Sequence, residues 1–208
     1  MQEVKAVVRG TVCVVALVVA LTGCGGEGNT AVGGIGSGDG KGKTSGALSA
    51  EQVRSALPTN ESLGEIFVGN DAVVGEGEQA RQHCAEQTGT TCNGMVAVGH
   101  KEAAVRGKAS GDEVEFTLFS FDSPQAASAA AKGLAAKIRG REPAPEPTQI
   151  AAGADETEGF TNGRKRTDVV MRVGNVLAYV LASTSNSDNV KQVATQQVDL
   201  IKKAARQP

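Results

Sequence analysis

Aromatic side chains are scarce: five Phe, one Tyr and no Trp make up 3% of 208 residues. So few rings leave almost no platform on which bases or sugars stack. Histidine is rare too, and the chain's two, His83 and His100, are its only imidazoles for metal binding or general-base work. Neither charge dominates. Against 21 Lys and Arg stand 23 Asp and Glu, a net charge of −2, without the basic footprint of a nucleic-acid binder. Long apolar runs are missing as well: Val12–Leu21 is about ten residues, whereas spanning a bilayer takes about 20. What is abundant is glycine, 27 of 208 residues, about 13% against a usual share of about 7%.

That apolar run follows a weakly positive start, with Lys5 and Arg9 against Glu3, the pattern of a secretory signal. It ends in Leu21-Thr22-Gly23-Cys24, which resembles the lipobox of bacterial lipoproteins. The resemblance implies cleavage between Gly23 and Cys24 and a diacylglyceryl group on the Cys24 thiol. Two acyl chains anchor stably where one is marginal, at about 0.8 kcal/mol per buried CH₂. Loss of Lys5, Arg9 and Glu3 would leave 19 basic and 22 acidic residues. Attachment is thus expected through lipid rather than charge, on the extracytoplasmic face of a cell membrane of Gram-positive type.

Residues 1–23 are therefore assigned to the signal and 24–47 to the lipidated cysteine and a tether. Gly25–Ala47 holds ten Gly in 23 residues and too little apolar surface to offset the entropy of ordering. Its phosphate-loop lookalikes fail on context. Gly42-Lys43-Thr44 has Ser37 where a Walker loop needs Gly, and Gly23, Gly25 and Gly28 straddle the cleavage point. Neither follows the strand that a phosphate cradle requires.

With Cys13 removed and Cys24 acylated, Cys84 and Cys92 remain. A pair in an oxidising compartment reads as one disulfide. The alternatives are a zinc or copper site made of His83, Cys84, Cys92 and His100, which matches no established zinc spacing, and a Cys–His nucleophile, which a disulfide would abolish.

Residues 48–208 read as one α+β domain. Ser49 and Gln52 form a capping box for a short helix that Pro58 stops. Ile66–Val68 and Ala72–Val74 are short β-like runs, and residues 78–86 suit a helix. Met95–Val105 and Asp112–Phe121 read as strands around a turn at Gly107–Gly111. The second strand is apolar on both faces, as a central strand would be. Ser123 and Pro124 start a helix that Gly140 ends, with a stripe of Ala127, Ala130, Ala131, Leu134 and Ile138. Glu142–Pro147 is a proline-rich spacer, unfit for a helix or an inner strand. Phe160 falls in a short strand, Thr167–Val173 and Val176–Thr184 form a hairpin about Gly174-Asn175, and Ser187 or Asp188 caps a last helix. The stripe of that helix is Val190, Val193, Ala194, Gln197, Val198, Ile201 and Ala205. The expected architecture is one antiparallel sheet with helices packed on one face. A strand-strand-helix unit occurs twice in it, as a duplication would produce.

Several of these segments together are similar to the extracellular sensor domain of PknH-type bacterial receptor kinases. They are the helix from Ser49, the Cys84–Cys92 region, Val114–Ala131 and Met171–Val180. That resemblance implies ligand binding in a cleft beside the sheet. In that family the domain carries two disulfides, where this chain has cysteines for one.

The functional expectation is thus a membrane-anchored, non-catalytic ligand-binding or sensor-like domain, with no cofactor, metal or nucleic acid, and an envelope ligand or protein as partner. One alternative is an envelope hydrolase built on His100, with Glu102 beside it. The other is a partner-binding protein that uses Arg164, Lys165 and Arg166 on anionic polymer or protein.

Overall fold

The last strand explains the architecture. Val176–Ser183 is buried along almost its whole length, alternate residues on both sides included, so something must cover each face of the sheet. In the computed structural model, which describes residues 46–63, 67–105, 113–163, 166–183 and 187–207, helices do so. The elements are α1 Ala50–Ala56, β1 Phe67–Gly69, β2 Val73–Glu76, α2 Gly77–Thr88, β3 Met95–Val105, β4 Glu113–Phe121, α3 Pro124–Arg139, β5 Glu146–Thr148, β6 Glu156–Asn162, β7 Arg166–Val173, β8 Val176–Ser183 and α4 Ser187–Ala204. Among the described residues the eight strands form one antiparallel sheet in the order β1-β3-β4-β8-β7-β6-β5, with β2 also paired to β3. The fold is α+β with an antiparallel sheet, as the sequence indicates.

The placement of the helices needs correction. They pack on both faces rather than one. Val176, Ala178, Val180 and Ala182 join Val114, Phe116 and Leu118 beneath α1 and α4. Leu177, Tyr179 and Leu181 join Phe119 and Phe121 beneath α2 and α3. Strand side chains alternate between faces, so apolar residues in both registers of β4 and β8 demand two covering layers. The strand-strand-helix unit does recur, as β3-β4-α3 and β7-β8-α4. However, β4 and β8 are antiparallel neighbours and their helices go to opposite faces. The two units therefore have opposite hand, and no rotation superimposes them.

Local chemistry sets the ends of the elements. Ser49 and Gln52 form the reciprocal capping box of α1, and Leu48 N donates to Ser120 Oγ at 2.7 Å, tying this helix to β4. Gly99 of β3 lies directly beneath α1, where a Cβ would stand 2.6 Å from Val53 Cγ1, so the helix docks this closely only over a glycine. Ser123 caps α3, with Pro124 in its first turn. The spacer contributes β5, a three-residue edge strand holding Pro147, the place where a missing N–H is tolerated. Helix α4 begins at Ser187 itself. Ile66, the Gly107–Gly111 turn and Thr184 lie outside the described residues, as do Cys24 and all of residues 1–45.

Cys84 of α2 is joined to Cys92, with Cα atoms 6.1 Å apart. The helix ends at Gly89 in the left-handed conformation, and Cys92 at φ 48° completes the reversal that returns the chain to the last turn. Replacing both cysteines by alanine is expected to cost about 2.6 kcal/mol, from the entropy of closing so short a loop. Denaturant unfolding of the double variant against the oxidised parent measures this.

Candidate functional site: an arginine-lined cleft over a buried aspartate

Chemistry is concentrated where α3 leaves the sheet beside the β6–β7 hairpin. Strand β7 carries Val169, Met171 and Val173 toward α1 and α4, which turns Asp168 to the opposite face. There α3 covers it, leaving it 1% exposed. A carboxylate taken out of water must be paired and hydrogen-bonded. Its Oδ1 accepts from Arg141 Nη1 at 2.9 Å and from the Tyr179 hydroxyl. Its Oδ2 lies 3.6 Å from Arg166 Nε, and that buried Nε makes no hydrogen bond. Above this pair opens a cavity of about 440 Å³, lined by Arg141, Glu142, Pro143, Pro145, Asn162 and Arg166, among others.

The electrostatics follow from this packing. Burial raises the pKa of Tyr179, the charge and hydrogen bond of Asp168 raise it further, and Arg141 partly opposes them, leaving it pushed up to about 12. For Arg141, desolvation pulls downward, but hydrogen bonding and attraction to Asp168 and Tyr179 prevail, so its pKa is raised. Tyr179 is thus a neutral hydrogen-bond donor, held in place by a carboxylate.

A pH dependence results. An acid whose folded pKa lies above its unfolded value of about 10 stabilises the fold fully below pH 10 and loses that contribution as the pH rises toward 12. Unfolding at pH 11 should therefore be easier than at pH 8 by about 1.4 kcal/mol. Tyr179→Phe should remove most of this difference, as urea denaturation at the two pH values would reveal.

The residues singled out by sequence are dispersed. Cys84 and Cys92 are buried and bonded to each other, so their sulfurs are not metal ligands. The four-residue His/Cys metal set is overturned on that ground. His83 is exposed on α2, its ring centroid 6.1 Å from that of Phe119. His100 Nε2 lies 3.2 Å from Glu102 Oε1 and Nδ1 lies 3.2 Å from Thr117 Oγ1. This hydroxyl–imidazole–carboxylate row has the order of a hydrolytic triad, but Thr117 is 2% exposed and sits within the central strand β4. A nucleophile must reach its substrate, and this one is sealed by the sheet and its cover. Of the basic triplet, Arg164 and Lys165 lie outside the described residues, while Arg166 opens β7 and lines the cleft.

Sequence reasoning missed Arg141, Asp168 and Tyr179. The available signal was Asp168 in a strand whose partner β8 is apolar in both registers, because a charge on a doubly covered strand has to be paired.

The family model described as "Domain of unknown function (DUF7373) N-terminal" matches residues 49–207. The chain belongs to the DUF7373 family. The match takes in all the residues of the cleft and the disulfide. No curated protein matches this DUF7373 chain. Its fold is similar to the crystal structure of the extracellular domain of PknH from Mycobacterium tuberculosis. The TM-score is 0.54 at 11% identity, over 76% of this chain and 99% of that one. At that identity the likeness extends to the fold.

Proposed function

We propose that this DUF7373 protein is a lipid-anchored, extracytoplasmic domain that binds a ligand or partner without transforming it. The observation that carries the reading is the fold correspondence, which takes in 99% of the extracellular domain of PknH. The sequence supports it independently: Leu21–Cys24 has the form of a lipobox and precedes a glycine-rich stretch. The Cys84–Cys92 disulfide fits an oxidising compartment. Among the described residues no helix is long and apolar enough to cross a membrane. Binding rather than catalysis is favoured because the hydroxyl–imidazole–carboxylate row at His100 has its hydroxyl buried.

Detergent phase separation of the full chain, made in a bacterium with a lipoprotein pathway, tests the proposal. The parent should enter the detergent phase, and Cys24→Ser should move to the aqueous phase. An aqueous parent, or a serine variant that stays with the detergent, would overturn it.

A further inference from the structure

Arg141 and Arg166 converge on the two oxygens of one carboxylate, and with five N–H donors on each guanidinium that pairing leaves donors to spare. Asp168 Oδ1 already has two donors in Arg141 and Tyr179, while Arg166 stands off at 3.6 Å with its Nε unbonded. Both arginine side chains remain partly open, 39% and 38% exposed, against 2% for Asp168. Two guanidinium forks that share one buried carboxylate and line one cavity form a receptor for a planar or tetrahedral oxyanion.

We propose that the cleft over Asp168 binds a small ligand through a carboxylate or phosphate group held between Arg141 and Arg166. This rests on the binding function proposed above and names the chemistry of its ligand. Asp168 also lines the cavity but is 2% exposed; its hydrogen bond orients Arg141, its charge faces Arg166, and it offsets half of their combined charge. Pro143 and Pro145 give the cleft an apolar wall for the body of the ligand. Glu142, exposed at the rim, disfavours a ligand with a second negative charge close to the first. A volume of about 440 Å³ lies within the range of small-molecule sites rather than of polymer grooves.

Side-chain Nε–Hε signals of the arginines in the ¹⁵N-labelled full chain provide the test, at constant ionic strength with sodium chloride as the control salt. Inorganic phosphate or sodium acetate should shift the Arg141 and Arg166 signals saturably, and chloride should not. Saturation by acetate alone identifies a carboxylate ligand, and by phosphate alone a phosphoryl ligand. Arg166→Gln should weaken binding about tenfold, and Arg166→Lys, which keeps the charge but loses the fork, should also weaken it. Glu142→Gln should tighten it several-fold. Shifts that never saturate with either anion, or saturation unchanged in both Arg166 variants, would overturn the proposal. Because detergent partition through Cys24 does not involve the cleft, failure here and failure of the anchor are read separately.

Discussion

Asp168→Ala should lower the stability of the domain by about 3 kcal/mol, among the largest losses from a single polar side chain in the sheet. The change leaves the Tyr179 hydroxyl without an acceptor in a site where Tyr179 is 6% exposed, and it leaves two guanidinium groups facing an uncharged gap. A buried ion pair broken from one side typically costs about 3–5 kcal/mol. The figure here sits at the low end because both arginines reach solvent and recover part of their hydration. Asp168→Asn, which keeps an acceptor for the tyrosine and gives up only the charge, should cost less. In thermal melts the alanine variant should fall by on the order of 8 °C. If alanine and asparagine proved equal to the parent, Asp168 would not be the post on which the cleft is built.

Phe116→Ala should cost about 4 kcal/mol. Phe116 is fully buried in β4, beneath α1 and α4, and its strand is hydrogen-bonded to β3 on one side and β8 on the other. Deleting the ring removes its transfer energy and opens a cavity between elements that cannot collapse, since the sheet on either side is fixed by its ladder. Phe116→Leu, closer in volume, should cost well under half as much. Equilibrium urea denaturation gives both values, with an unchanged slope indicating that the folded state itself is intact. A loss below about 1.5 kcal/mol for alanine would mean that the layer beneath α1 and α4 can repack.

The elements were legible in the sequence where a local rule acts alone. The Ser49–Gln52 capping box, the Ser123-Pro124 start of α3, the Gly174-Asn175 hairpin and the strand limits around Met95 and Phe121 each follow from a few neighbouring residues, and the structure has them. The disulfide followed from counting cysteines. The side of the sheet on which each helix packs was less accessible, because it depends on how β4 and β8 pair across more than fifty residues of chain. Apolar residues in both registers of Val176–Ser183 were nevertheless a sign of two covered faces. The cleft was hardest to see. Arg141, Arg166, Asp168 and Tyr179 come from a helix exit and two strands, and no spacing in sequence brings a helix exit onto a strand. Of these, the sequence singles out only Arg166, for its charged neighbours rather than for its buried partner. Alternation in β7 sets Asp168 opposite Val169, Met171 and Val173, and α3 makes that side an interior position.

The proposed function requires this domain to sit outside the membrane on a lipid carried by Cys24. Intact mass of the protein extracted from membranes measures that placement most directly. The expected result is a chain beginning at Cys24, heavier by a diacylglyceryl group and fatty acylation, and lighter by two hydrogens for the Cys84–Cys92 bond. A chain that begins at Met1, carries no lipid and has both domain thiols free would contradict it.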